Sequence, residues 1–225
     1  MAYDRILKLT VIPAISLFIF SLVATVLTAH AWIITDWLSA RWIPIMKIDD
    51  DGELWKDDVV IEYTTPSTDS TIVSGTLGLA AGVVGWLAWA HLRAPGLDVA
   101  YQKNRIVFWT IASCVTSGAV VASAIASIIL HFTGRGDDEY GCKSGIFRNN
   151  TARFTNMWCT REIAACGFLK DHVNAVEQDG RVYPGIACSE TTAVKWMQIL
   201  LAVNALVLGV MFASQARQRM RLIKL

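Results

Sequence analysis

The sequence predicts an all-α membrane protein: a bundle of four transmembrane helices with a small disulfide-stapled exoplasmic cap made of a short helix and a β-hairpin. Three observations predict it. Of the 225 residues, 54% are apolar, more than a water-soluble domain usually carries. The apolar residues gather in four windows, Thr10–Thr35, Thr71–His91, Ile106–Gly134 and Trp196–Gln215, and none of these holds an Asp, Glu, Lys or Arg. Four of the five cysteines fall between the third and fourth windows.

Each window is long enough to cross a ~30 Å hydrocarbon core at ~1.5 Å per helical residue, and none shows the period-2 alternation of a membrane barrel. The chain then divides into an N-terminus (1–9), a first span (10–35), a first loop (36–70), a second span (71–92), a connecting loop (93–105), a third span (106–132), a second loop (133–194), a fourth span (195–215) and a basic tail (216–225). Trp32, Trp37, Trp109 and Trp196 lie near predicted helix ends, where amphipathic rings favour the headgroup zone.

The first span follows Arg5 and Lys8 and passes Ala29-His30-Ala31, a pattern shared with signal peptides. Its apolar run exceeds the usual h-region, so it is expected to remain as an anchor. Pro13 is read into its first turns, where a missing N–H costs little.

The first loop carries nine acids against three bases. Trp42–Ile48 and Val59–Thr65 are apolar and β-branched stretches on either side of Asp51-Gly52, which predicts a hairpin. Its acids do not follow EF-hand order, because Lys47 stands at the first ligand position. They are read as a solvated turn that screens this face or recruits a basic partner.

Small residues mark the spans. The second holds Gly75, Gly78, Gly82 and Gly85, the third Gly118, Ala122 and Ala126, and the fourth Ala205, Gly209 and Ala213. Such rows allow close backbone approach, either within the bundle or to other copies. Asn204, in the middle of the fourth span, is expected to make an interhelical hydrogen bond worth ~0.6–2 kcal/mol.

Arg5, Lys8, Arg93, Lys103, Arg105, Arg217, Arg219, Arg221 and Lys224 all fall on one side of a four-span protein. The positive-inside rule places that side, with both termini, in the cytosol, within a plasma or secretory-pathway membrane. The second loop is then exoplasmic and oxidising, so Cys142, Cys159, Cys166 and Cys188 are read as two disulfides, with Cys114 a packing residue in the third span. Zinc is not expected, because no close C-x2-4-C pair is present, and no C-x-x-C redox motif occurs. Ile163, Cys166, Leu169, Val173 and Val176 recur at helical steps across Thr160–Gln178, predicting one short amphipathic helix. Cys159 and Cys166, two turns apart on it, could not bridge each other. Each is expected to pair with Cys142 or Cys188. Asn149 begins an Asn-Asn-Thr glycosylation sequon.

No phosphate loop, G-x-S-x-G or H-E-x-x-H is present, and the cytosolic segments are too short for a catalytic domain. The chain is read as a non-enzyme without cofactor, resident metal or nucleic-acid partner. The layout resembles the tetraspan membrane proteins, including tetraspanins and claudin-like proteins, over the whole chain in topology. Like tetraspanins it has a cysteine-stapled loop between spans three and four, closed by Cys188 shortly before the membrane. Ala165-Cys166-Gly167 stands where tetraspanins carry Cys-Cys-Gly, and the first loop lacks the claudin cysteine pair, so no functional residue carries over.

The expected role is a membrane organiser or accessory subunit. It would act through lateral and exoplasmic contacts with membrane lipids, other integral membrane proteins or copies of itself. The alternative is a pore-forming subunit, with Thr110, Ser113, Ser117, Ser123 and Ser127 of the third span lining water. A third reading is a haem- or copper-binding oxidoreductase component using His30 and His131.

Overall fold

A computed structural model describes residues 2–39, 42–48, 54–93, 103–149, 152–173 and 182–223. Its elements in chain order are α1 (Ala2–Ser39), β1 (Ile43–Ile48), β2 (Leu54–Tyr63), α2 (Pro66–Leu92), α3 (Lys103–Thr133), β3 (Lys143–Asn149), β4 (Ala152–Cys159), α4 (Arg161–Cys166), α5 (Phe168–His172) and α6 (Val182–Ile223). Helices α1, α2, α3 and α6 are each long and apolar enough to cross a membrane, which marks the chain as a multi-pass membrane protein.

Residue contacts divide the chain into two compact units. The helical unit comprises Met1–Thr25, Ser70–Ser127 and Trp196–Leu225. Its core mixes alanines (Ala14, Ala81, Ala88 and Ala205) with larger side chains such as Leu17, Val120, Leu208 and Phe212. The glycines of α2 explain how closely α1 approaches. Gly75, Gly78, Gly82 and Gly85 are all buried, and a Cβ on Gly82 would stand 2.9 Å from the Cβ of Phe18 and 3.1 Å from the Ala14 carbonyl oxygen. Within hydrocarbon a buried hydroxyl or amide needs a protein partner. Here the Thr71 and Ser127 hydroxyls pair at 2.9 Å, Ser74 donates to Gln198 Oε1 at 2.6 Å, and Ser16 donates to Asn204 Oδ1 at 2.8 Å. Large apolar side chains such as Ile12, Val115 and Val203 are exposed on the outer surface.

Pro13 lies inside α1 rather than in its first turns, because the helix already begins at Ala2. The Leu9 carbonyl therefore loses the helical donor that residue 13 would supply.

The sheet unit comprises Val26–Asp69 and Ile128–Lys195. It enlarges the cap expected as a short helix plus one β-hairpin. A hairpin of β1 and β2 forms, but its second arm begins at Leu54 and not at Val59: Asp57 and Asp58, read as part of a solvated turn, lie in β2, and Asp57 is buried, accepting from the Thr155 hydroxyl at 2.8 Å. A second hairpin of β3 and β4 forms in the second loop, and the four strands make one sheet in the order β1-β2-β4-β3. The central pair is parallel, with Asp58 opposite Phe154 and Tyr63 opposite Cys159. The outer pairs are antiparallel. One pleat face, with Ile43, Ile45, Val59, Ile61, Met157 and Cys159, is buried against Ala164, Phe168 and Leu169.

Disulfides join Cys142 to Cys159 and Cys166 to Cys188, each with Cα atoms 4.7 Å apart. The single amphipathic helix expected over Thr160–Gln178 is instead two short helices, α4 and α5, separated at Gly167. Residues 174–178 lie outside the described residues. Cys159 ends strand β4 and does not start a helix. Helix α6 begins at Val182, so Cys188 sits on that helix and not in a loop.

Candidate functional site

The most elaborated chemistry in the sheet unit centres on α4. Thr160 caps this helix, its hydroxyl oxygen accepting from the Ile163 N–H at 3.3 Å, in the usual manner of a threonine N-cap. Arg161 and Glu162 follow in the first turn. Successive helical residues project about 100° apart, so the two side chains leave α4 in different directions.

Arg161 is only 6% exposed, which is unusual for an arginine unless its charge and donors are matched. Its Nη2 and Nε donate to Asp36 Oδ1 on α1 at 2.9 and 3.3 Å, and its Nη1 donates to Thr68 Oγ1 on α2 at 3.3 Å. The guanidinium carbon stands 4.7 Å from the Trp32 ring centroid and 4.8 Å from that of Tyr63, placing the cation between two aromatic rings. The second carboxylate oxygen of Asp36 accepts from the Trp32 indole N–H at 2.5 Å. The Tyr63 hydroxyl donates to the Thr35 carbonyl at 3.0 Å. Burial is the main reason the Tyr63 hydroxyl is pushed up to about 12 from its ordinary value of 10.0.

Glu162 reaches the other two long helices. His131 Nδ1 on α3 lies 3.1 Å from Glu162 Oε2, and Lys195 on α6 donates to Oε1. All three side chains are largely buried. Burial alone would raise the Glu162 carboxyl, but the hydrogen bonds and charges of His131 and Lys195 outweigh it and hold the group below the usual carboxylate range. Beside Glu162 lies a cleft of about 470 Å³, lined also by Arg135, Glu139, Tyr140 and Cys166. The turn at its mouth depends on Gly141, whose φ of 80° suits glycine. The turn also depends on Asp138 Oδ1, which accepts from the N–H groups of Tyr140 and Cys142.

The residues singled out from sequence are scattered around this arrangement. Cys142 and Cys159 staple the base of the β3–β4 hairpin, and Cys166–Cys188 ties α4 to α6. Asn149 is the last residue of β3, and its neighbour Asn150 lies outside the described residues. Gly78, Gly82, Ala205 and Gly209 face inward in the helical unit. Gly118, Ala122 and Ala213 are exposed, and a Cβ on Gly118 would meet nothing within 4 Å. His30 and His131 do not converge on one ligand position: His30 Nδ1 holds Glu190 at 2.7 Å and His131 holds Glu162. Of the third-span hydroxyls, Thr110 and Ser123 bond back to their own helix, whereas Ser113 and Ser117 are buried.

Sequence reasoning alone does not single out Arg161, Asp36, Glu162 and Lys195 as a set. The available signal is their position. Asp36 directly follows the first charge-free window, Lys195 directly precedes the fourth, and Arg161-Glu162 lies between two cysteines. No protein-family model, curated protein or solved structure matches the chain, so the tetraspan resemblance rests on topology alone.

Proposed function

We propose that the chain is a non-enzymatic tetraspan organiser or accessory subunit that acts by protein contact. Both termini would lie in the cytosol of a plasma or secretory-pathway membrane, and the sheet unit in the exoplasmic space. Asn149 would be open to glycosylation there. One observation carries the reading: two consecutive residues of α4, with two disulfides beside them, fasten both loops and parts of all four long helices into one body. Such an arrangement uses its charged groups to hold a fixed surface. The test is purification in mild detergent followed by mass determination of the particle. A larger assembly, or a stoichiometric partner, is expected; a strict monomer without a partner overturns the reading.

A pore-forming subunit is the second reading: among the described residues the buried Ser113 and Ser117 hydroxyls have no hydrogen-bond partner, so water between the helices would satisfy them. Purified protein in planar bilayers that stays electrically silent across voltage, calcium and pH removes it.

A further inference from the structure

We propose that the Cys166–Cys188 bridge is a site of reversible thiol–disulfide exchange, entered through the cleft beside Glu162 and selective for a small zwitterionic thiol. This goes beyond the contact function proposed above and does not depend on it.

The two bridges differ in access. Cys142 and Cys159 are 0% and 1% exposed, so an attacking thiolate reaches neither sulfur in the folded chain. Cys166 and Cys188 are both partly exposed, and Cys166 lines the cleft of about 470 Å³ whereas Cys188 does not. Accessible bridges exchange and buried ones persist. A thiolate that enters the cleft therefore bonds to Cys166 Sγ. The bond from Cys166 to Cys188 breaks, and its electron pair leaves on the Cys188 sulfur, which takes a proton from water. One disulfide replaces another, so the thiol is the only co-reactant.

The lining of the cleft selects the thiol. Arg135 and Glu139 are exposed there, and among the described residues neither enters an ion pair. The other acids are already engaged: Asp138 Oδ1 accepts from two backbone N–H groups, and Glu162 is bonded to His131 and Lys195. One open guanidinium and one open carboxylate match a ligand that carries one carboxylate and one ammonium, as a thiol amino acid does.

Exchange leaves α4 and α6 in register. Cys166 follows Glu162 by four residues on α4, and Lys195 follows Cys188 by seven on α6, so each pair shares a helix face. Thr192, between Cys188 and Lys195, places its hydroxyl 3.9 Å from Cys166 Sγ. The Glu162–Lys195 ion pair is thus a second rung between the same two faces. It holds α4 beside α6 while the bridge is open, so the bridge can close again.

The test treats the full chain in nanodiscs with free cysteine, 2-mercaptoethanol or thioglycolate, each rate being divided by that on an unstructured disulfide peptide. A mixed disulfide on Cys166, with Cys188 alkylatable, should form about tenfold or more faster than Cys142–Cys159 opens. Relative to the peptide, cysteine should outpace the neutral and the anionic thiol by about threefold. The Arg135→Ala, Glu139→Ala double variant should lose that preference and keep the rate with 2-mercaptoethanol. Removing the thiol should restore the bridge. An adduct on Cys188, both bridges opening together, no exchange short of unfolding, equal relative rates for the three thiols, or a bridge that does not re-form overturns the proposal. None of these readouts measures assembly, so the contact function stands or falls separately.

Discussion

Arg161 and Glu162 are neighbours in sequence, yet they divide the long helices between them: Arg161 binds Asp36 of α1 and Thr68 of α2, and Glu162 binds His131 of α3 and Lys195 of α6. This follows from helix geometry, which sends adjacent side chains of α4 in different directions. The ends of β2 and β4, just before Thr64 and Thr160, are coupled as well, since the Thr64 N–H donates to the Cys159 carbonyl at 2.8 Å. The sheet unit is thus held from both its loops at one place.

Removing Asp36 should loosen this place at least as much as removing the Arg161 guanidinium. Asp36 is 47% exposed and can rehydrate when Arg161 is replaced, whereas Asp36→Ala leaves a guanidinium that is only 6% exposed without its carboxylate. With Arg161 replaced, the rings of Trp32 and Tyr63 would lose the cation between them. Arg161→Ala should cost about 1–3 kcal/mol, and Arg161→Lys should recover only part, because an ammonium lacks the planar stack. Thermal unfolding in nanodiscs, followed by protease resistance of the sheet unit, checks that Asp36→Ala and Arg161→Ala both destabilise more than Arg161→Lys.

Acid should weaken the same unit. Glu162 stays ionised in the folded protein below the usual carboxylate range, whereas in the unfolded chain it takes up a proton near ~4.3. Its contribution is therefore complete above that value and is lost as the pH falls through the lower folded value. Thermal midpoints of the unmodified chain and Glu162→Gln, measured from neutral pH downward, should converge as acid is added. A constant gap would contradict the assignment.

Alkali should act through Tyr63. Its hydroxyl keeps its proton to about 12 in the folded protein against 10.0 ordinarily, so stability is full below the ordinary value and declines as pH rises between the two. In an ultraviolet titration Tyr63 should ionise late, and Tyr63→Phe should abolish that late step.

The bridges make a simple chemical prediction. Peptide mapping without reduction should recover Cys142 linked to Cys159 and Cys166 linked to Cys188, with Cys114 as the free thiol. Cys166→Ser should leave Cys188 alkylatable and the first bridge intact. Loss of a bridge closing a loop of this size costs about 2–4 kcal/mol, read as a lower thermal midpoint.

Much of this architecture is legible in the residues, because the properties concerned are local. Charge-free windows of membrane length and the apolar stretches around Asp51-Gly52 announce the four helices and the first hairpin. The parallel pairing of β2 with β4 is not legible, since it joins residues some 96 apart, as Val60 and Asn156 are, and long-range pairing leaves no signature in either segment. Period-2 alternation of Thr155, Met157 and Cys159 is present in the sequence, but helical spacing after Thr160 draws attention first. The early start of α6 is masked by Pro184 and Gly185, which read as loop residues although proline is tolerated in a first helical turn. The α4 clamp is hidden because its members come from segments that look like ordinary charged helix flanks.

The two classes of glycine give the sharpest contrast. Gly82 is buried, with its missing side chain directed at Phe18 Cβ and the Ala14 carbonyl at 2.9 and 3.1 Å, whereas Gly118 is exposed and a Cβ there would meet nothing within 4 Å. Both lie in helix interiors, where alanine is intrinsically better than glycine by about 1 kcal/mol. At Gly118 that gain is unopposed, so Gly118→Ala should be neutral or slightly stabilising. At Gly82 the added carbon must push α1 away, at a cost of typically ~1–3 kcal/mol, so Gly82→Ala should lower the thermal midpoint despite its propensity advantage, and Gly82→Leu should lower it further. If Gly118→Leu leaves the melting of the chain unchanged but dissociates the purified assembly, the exposed α3 row with Ala122 is a lateral contact; if assembly is also unchanged, that row faces lipid alone.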